Sequence, residues 1–414
     1  MDYAGRRERL MATLPEYSIS VFTSGNAPYS IGDEKYPFKV NRSFYYFTGL
    51  DKEGMTLMLL KMPSGNREVL FIQPFDETKA KWVGGRIRPA EATEISGIKD
   101  VRFTEDFMKI LETTLTRYGT LNSFSLWGDL TKQELSQPNE TVDLFNKIRQ
   151  QQPDVIICNI FERVTKMRLI KDEEEIACIR KALEVTNTGI QTMMSYSREN
   201  IWENELEAYF DYVLKCNQCE HAFATICATG KNATVLHYTD NNQFARMDDM
   251  VLCDLGAAYQ NYNADITRTF PINGHFTERQ KQIYDIVLRG NKLVISLAKP
   301  GVTTRELNDS LIEFYQTELA NIGLLENGKT VRDYYWHGVS HQLGLETHDV
   351  QLPNRPLEPG CIITVEPGLY LEQENIGVRI EDDVLITENG CEVLSKDIIK
   401  EIDEIESFMA NHLG

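Results

Sequence analysis

The sequence predicts two domains: an α/β half over residues 1–160, then an α+β half over residues 165–414 built on antiparallel hairpins. Three observations carry this reading. With 414 residues the chain exceeds what one hydrophobic core usually organises. Up to about residue 160, strand-like runs (SISVFTSG, MTLMLLKM, EVLFIQP) alternate with helical ones such as EDFMKILETTLTRYG. Beyond that point, carboxylates interrupt apolar and β-branched segments at spacings that hairpins would bring together.

Within the first half, SFYYFTGL (residues 43–50) reads as a hydrophobic core strand. No constellation of titratable residues suggests chemistry there. Its expected work is homo-oligomer contact, in a dimer or tetramer, and cover for an active site. The boundary falls within 153–165. Asp172 and Glu175 then form an N-cap and capping box, followed by a helical stripe of Ile176, Ile179, Leu183 and Ile190. The acids at 172–175 are therefore assigned to the helix dipole rather than to a metal. ENELEAYFDYVL from Glu203 weakly matches TRELNDSLIEFY from Thr304, a hint of an internal repeat.

A net charge of −19 with no basic run excludes nucleic-acid binding as the main role. No apolar stretch approaches the ~18 residues of a membrane span, and MDYAGRRERL lacks a signal-peptide core, so a cytoplasmic protein is expected. Eight cysteines in so long a chain do not make a disulfide framework. Cys216 and Cys219 form a CxxC, but no second ligand pair lies nearby apart from His221, so a zinc knuckle is not expected.

The chemistry gathers in CDLGAAYQNYNADITRTF, residues 253–270, where Asp254 and Asp265 stand among strand-forming residues. A two-residue turn at Tyr259 and Gln260 would set the two acids directly opposite each other, Cβ atoms roughly 4.5–5.5 Å apart. Poorly hydrated, opposed carboxylates need a shared proton or a shared cation. Further ligands follow: His341 in HGVSHQLGLETHD, Glu366 in TVEPGLY and Glu381 in GVRIEDD. A turn at Gln373 and Glu374 would oppose Glu366 to Glu381. Four carboxylates balance two divalent cations, which makes a dinuclear site electrostatically reasonable. His337 and His341 are four apart, but Gly338 stands where a zincin HExxH would need its glutamate.

These five residues with their flanking words, notably DITRTFPINGHFT, HGVSHQLGLETHD and VEPGLY, resemble the creatinase-like metallopeptidases, most closely those of the aminopeptidase P type. The resemblance spans nearly the whole chain and strengthens from Met167 onward. It implies a pseudo-twofold "pita-bread" catalytic domain after a creatinase-like N-terminal domain. It also implies Asp254, Asp265, His341, Glu366 and Glu381 as ligands of two divalent ions, with His237, His337 and His348 lining the substrate pocket. Manganese is the expected metal, with Co²⁺, Fe²⁺ or Zn²⁺ able to fit an oxygen-rich cage. The implied reaction is release of the residue before a proline in second position. Glu366 would bind metal and carry the proton, His348 would stabilise the oxyanion, and Arg379 with Tyr370 would orient acidic groups or substrate. Phe223 stands where this family often places a tyrosine that hydrogen-bonds a ligand aspartate, and phenylalanine cannot donate that bond. Two other activities compete with an Xaa-Pro aminopeptidase: a prolidase restricted to Xaa-Pro dipeptides, and a catalytically silent binding protein on the same fold. Retention of all five ligands disfavours the silent reading, and the absence of a basic insertion between Asp265 and His341 disfavours the dipeptidase.

Overall fold

A six-stranded mixed sheet organises the first half of the chain, in the order β4-β3-β2-β1-β5-β6. Its strands are β1 (Ser18–Thr23), β2 (Thr56–Met62), β3 (Gly65–Ile72), β4 (Val101–Phe103), β5 (Ser125–Gly128) and β6 (Ile156–Asn159). The central meander β1–β2–β3 is antiparallel, and β4, β5 and β6 join in parallel. Alternation along the strands sends Ile19, Val21, Met58, Leu60, Val69 and Phe71 into one core. Leu111 and Leu115 of helix Phe107–Gly119 and Phe145 and Ile148 of helix Glu140–Gln151 complete it.

The aromatic word at 43–50 is not a strand. Arg42–Thr48 is a helix, capped by the Asn41 side chain on Phe44 N and ended by Gly49 in the left-handed region at φ 69°. Local capping wins here over the β-propensity of the aromatic run, and every residue from Ser43 to Thr48 is buried.

The computed structural model describes residues 1–119, 123–132 and 134–412, and it divides into two compact units, Met1–Met167 and Arg168–Gly414. The division lies inside helix Phe161–Leu169, just past the 153–165 stretch read as the boundary. In the second unit, helix Glu173–Ser195 begins with the expected capping box, Asp172 accepting from Glu175 N while Glu175 accepts from Asp172 N. It packs against helix Glu203–Cys216, and helix Glu278–Leu297 packs in the same way against Thr304–Asn321. Antiparallel strands follow each pair, which gives the weak sequence repeat a structural counterpart.

The strands after the first helix pair are β7 (Glu220–His221), β8 (Ile226–Thr229), β9 (Met250–Leu255), β10 (Ala257–Tyr259), β11 (Tyr262–Asn263) and β12 (Ile266–Pro271). After the second come β13 (Ile362–Val365), β14 (Gly368–Leu371), β15 (Ile376–Arg379), β16 (Asp382–Ile386) and β17 (Cys391–Val393). Hydrogen bonds from Glu381 N to Thr267 O (3.0 Å) and from Arg379 N to Thr269 Oγ1 (3.2 Å) tie β12 to the β15–β16 segment. That seam joins the two repeats, and the acids lie along it.

Candidate metal centre

The first hairpin turns one residue later than the spacing suggested. Tyr259 pairs with Tyr262, and Gln260 and Asn261 occupy the turn at φ 49° and 65°. Two consecutive left-handed residues make the turn whose twist suits adjoining strands, and asparagine tolerates that region. In consequence Asp254 faces Thr267 rather than Asp265. The offset along β12 is two residues, and because strand side chains repeat with period two, Asp265 stays on the face that Asp254 uses.

The second hairpin keeps the register its spacing predicts. Val365 pairs with Asp382 and Gly368 with Arg379, so Glu366 stands against Glu381. The ladder is interrupted there, where Pro367 lacks an N–H; Ile380 N donates to its carbonyl at 3.2 Å. His341 joins from an extended segment beside β13, through Thr364 N to His341 O (3.0 Å), His341 N to Thr364 Oγ1 (3.1 Å) and Glu366 N to Val339 O (2.9 Å).

Asp265, His341 and Glu381 each bring a donor atom to within 4.8 Å of the others'. His341 Nε2 lies 3.4 Å from Asp265 Oδ2 and 3.6 Å from Glu366 Oε1. Glu366 and Asp254, the other two residues expected from sequence, lie outside this closest group, and Arg379 Nη2 holds Asp254 Oδ2 at 2.6 Å. Asp254 Oδ1 is buried without a hydrogen-bond partner.

Burial, then the charges of Asp254 and Glu366, push the Asp265 carboxyl well above its ordinary range. Glu381 is likewise raised, by burial and then by Asp265 and Asp254. Glu366 is pushed up to about 8 by burial and by Glu381, with His341 and Arg379 acting in the other direction. Carboxylates that resist ionisation together, one orphaned carboxylate oxygen and one imidazole nitrogen fit a divalent-cation site.

Arg379 is the organiser of this cluster. Its fork donates from Nε to Thr267 Oγ1 (2.9 Å), from Nη1 to Tyr370 Oη (3.0 Å) and from Nη2 to Asp254. Thr267 in turn donates to Glu381 Oε2 at 2.7 Å. Sequence reasoning missed Thr267, although the register puts it opposite Asp254. Tyr370 Oη lies 2.9 Å from His337 Nε2, while His337 Nδ1 meets Gly338 O at 2.7 Å. A carbonyl only accepts, so Nδ1 carries the proton. Burial, with Arg379 close by, takes the His337 pKa down to about 3 and keeps the ring neutral.

His348 stands edge-on to His341, ring centroids 4.4 Å apart. Partial burial and the neighbouring His341 and His237 rings lower its pKa. His237 is exposed, on the loop after the short helix Gly230–Thr234. That loop is gathered by a residue the sequence reading overlooked: the buried Glu203 carboxylate accepts from Thr229 N and Oγ1, Asn232 Nδ2, Tyr238 Oη and Gln243 N. A glutamate followed by an apolar helix reads as a dipole partner, and nothing local marks it as a loop anchor. Phe223, half-buried, places its ring edge beside Gly256, two residues from Asp254. Cys216 is exposed and Cys219 buried, and neither joins a group of converging metal donors among the described residues.

A helix-paired α+β repeat with an acid-rich seam and one converging imidazole suits a metal-dependent hydrolase, and sequence comparison narrows the class to a metallopeptidase. The sequence model of metallopeptidase family M24 matches residues 177–388, and that of the aminopeptidase P N-terminal domain matches residues 3–122. The Xaa-Pro aminopeptidase of Haemophilus influenzae is 32% identical, over 99% of this chain and 97% of its own length. Among solved structures, a candidate aminopeptidase P from Bacillus anthracis superposes with a TM-score of 0.96 at 43% identity, covering 99% of this chain and 98% of that one. Aminopeptidase P from Escherichia coli, solved with the inhibitor Pro-Leu, gives 0.90 at 32% identity, covering 99% and 98%. The chain therefore belongs to metallopeptidase family M24, with a pita-bread catalytic domain behind an aminopeptidase P N-terminal domain.

Proposed function

We propose that this chain is an Xaa-Pro aminopeptidase that removes the first residue from peptides with proline second, and that the unit from Arg168 onward performs the reaction. The observation that carries the reading is the convergence of Asp265, His341 and Glu381, flanked by Glu366 and Asp254, in a chain similar end to end to Xaa-Pro aminopeptidases.

Asp254, Asp265, His341, Glu366 and Glu381 would hold two divalent ions, with Mn²⁺ favoured by four carboxylates and a single imidazole. Such ions, when bound, lower the pKa of water toward ~7 and polarise the carbonyl before proline. The residues of the chain do the rest. Glu366 accepts the proton of the attacking water and passes it to the prolyl nitrogen as the C–N bond breaks. His348, beside His341 at the mouth of the site, donates to the oxygen that gains charge. His237 and His337 line the peptide's path, and the neutral His337 ring with Tyr370 offers an uncharged wall to a proline ring. Arg379 fixes Asp254 and Tyr370 in one geometry.

Assembly into a dimer or tetramer is part of this proposal, supported by Trp82 and Val83, 85% and 84% exposed on a helix with no buried residue. Cytoplasmic residence is also proposed, on the ground that eight cysteines in 414 residues do not make a disulfide framework. No helix among the described residues is long and apolar enough to cross a membrane. Neither nucleic acid nor a membrane is proposed as a partner, since the net charge of −19 repels both phosphate and anionic lipid.

The deciding experiment compares kcat/KM for Ala-Pro-Ala and Ala-Pro with Mn²⁺ present. The tripeptide should be cleaved after alanine and should be the better substrate. A strong preference for the dipeptide would assign the chain to the prolidases.

A further inference from the structure

The segment from His341 to Asp349 carries two of the proposed working histidines, yet it has almost no regular secondary structure. Its rigidity must come from elsewhere. We propose that Asp349, clamped between Arg168 and Lys171, is a positioning residue that sets His341 and His348 for the reaction. The proposal rests on the reading above for what the two histidines do.

Asp349 is fully enclosed, and its two oxygens are held by different cations: Oδ1 by Arg168 Nη2 at 2.5 Å and Oδ2 by Lys171 Nζ at 3.1 Å. Two cations on two oxygens fix the plane of the carboxylate, not only its position. The backbone N–H of the same residue donates to Gln342 O at 2.9 Å. That carbonyl also meets His341 Nδ1 at 3.1 Å. Because a carbonyl only accepts, Nδ1 must carry the proton, which leaves the Nε2 lone pair facing Asp265 and Glu366. One fixed side chain thus sets the tautomer of His341 through one hydrogen bond, and the direction of His348 through the adjoining peptide.

The loop is built around this anchor. A Cβ on Gly344 would come within 2.3 Å of Asp349 Oδ2 and 2.9 Å of Lys171 Cε, so the chain crosses directly over the ion pair where only glycine fits. Gly344 O accepts from Asn263 N (2.9 Å), two residues before Asp265. Glu346 adds a second carboxylate to Arg168 Nη2 at 2.9 Å, which balances two cations with two anions. Lys171 N donates to Gly360 O (2.9 Å), so the clamp itself is tied to the turn before β13. A buried cluster serving only stability could sit anywhere in the core. This one is joined by a single backbone bond to the carbonyl that orients the metal-facing imidazole.

Asp349→Asn would strand two buried cations, so the informative variant is Lys171→Met, which leaves Arg168 and Asp349 paired. On the full chain, Lys171→Met should weaken Mn²⁺ binding about tenfold by calorimetry. At saturating Mn²⁺ it should lower kcat for Ala-Pro-Ala about tenfold, with KM changed less than about threefold. Lys171→Arg, which restores the charge, should recover most of both. Wild-type Mn²⁺ affinity and kcat in Lys171→Met would overturn the proposal, as would equal impairment in Lys171→Met and Lys171→Arg. The Mn²⁺ readout separates this failure from failure of the functional reading, which would appear as a wild-type chain that binds Mn²⁺ but cleaves no Xaa-Pro peptide.

Discussion

Glu381 and Asp382 are neighbours in the chain, both buried, and they meet opposite fates. Strand alternation turns Glu381 toward Asp265 and His341, where burial and like charge push its carboxyl up. Asp382 turns the other way, into Arg268 Nη2 at 2.8 Å, Lys400 Nζ at 2.5 Å and the Ser395 hydroxyl at 2.7 Å. Burial alone would raise Asp382 as well, yet the two cations hold it far below its ordinary range. One carboxylate is compensated by the protein's own charges; the other is left for something the protein must bind. This contrast separates these two neighbouring acids where burial, which they share, does not.

The largest effect that would sharpen the contrast is loss of turnover. Asp265→Asn and Glu366→Gln should each abolish peptide hydrolysis. The metal-free protein should nevertheless keep its Tm or gain a little, because each change removes one of several mutually repelling charges. Calorimetry of the metal-free variants checks the second half. A large fall in Tm would show that these carboxylates are compensated after all.

Asp382→Asn should do the reverse. It leaves Arg268 and Lys400 under-compensated in the core, at a cost of about 3–5 kcal/mol by urea unfolding. The pH dependence carries the same information. Because the folded-state pKa of Asp382 lies below the ~3.9 of an unfolded aspartate, its stabilisation is complete above that value and is lost as pH falls through the folded one. Asp349, lowered by Arg168 and Lys171 against the effect of burial, adds to the same acid limb. Below about pH 4 the wild type should lose stability more steeply than Asp382→Asn.

How far this contrast could be read from sequence depends on what sets it. The helix start at Asp172 and the Glu366–Glu381 register were legible because caps and period-two spacing are local rules. Asp265 and Asp254 were legible as a same-face pair but not as opposed residues, since the position of the turn was decided by which residues tolerate a left-handed backbone. The helix at 42–48 was hidden by an aromatic run whose propensity points to a strand. The partners of Asp382 lie at positions 268, 395 and 400, and those of Asp349 at 168 and 171. Nothing in EDD or THD announces which acid a distant cation will reach. Only the folded chain separates them.

A smaller effect tests the division of labour within the site. If His348 serves the oxyanion and His341 the metal, His348→Ala should lower kcat about 10²–10³-fold while the protein retains its bound metal. Elemental analysis of the variant is the check, and loss of metal would mean that the two roles are exchanged.

The smallest expected effect probes an acid that falls between the two classes. Asp254 is half-compensated: Arg379 holds Oδ2, while Oδ1 is buried and has no hydrogen-bond partner. The Phe223 ring approaches Gly256, two residues away, and offers no hydroxyl. Phe223→Tyr would place a donor on this side of the site. A single neutral hydrogen bond contributes roughly 0.5–1.5 kcal/mol, and one to a charged acceptor somewhat more. Mn²⁺ affinity should therefore rise no more than about tenfold, with little change in Tm. If affinity falls instead, the added hydroxyl is competing for Oδ1 rather than supporting it, and Asp254 belongs with the acids left free for metal. If it is unchanged, Arg379 alone supplies what Asp254 needs.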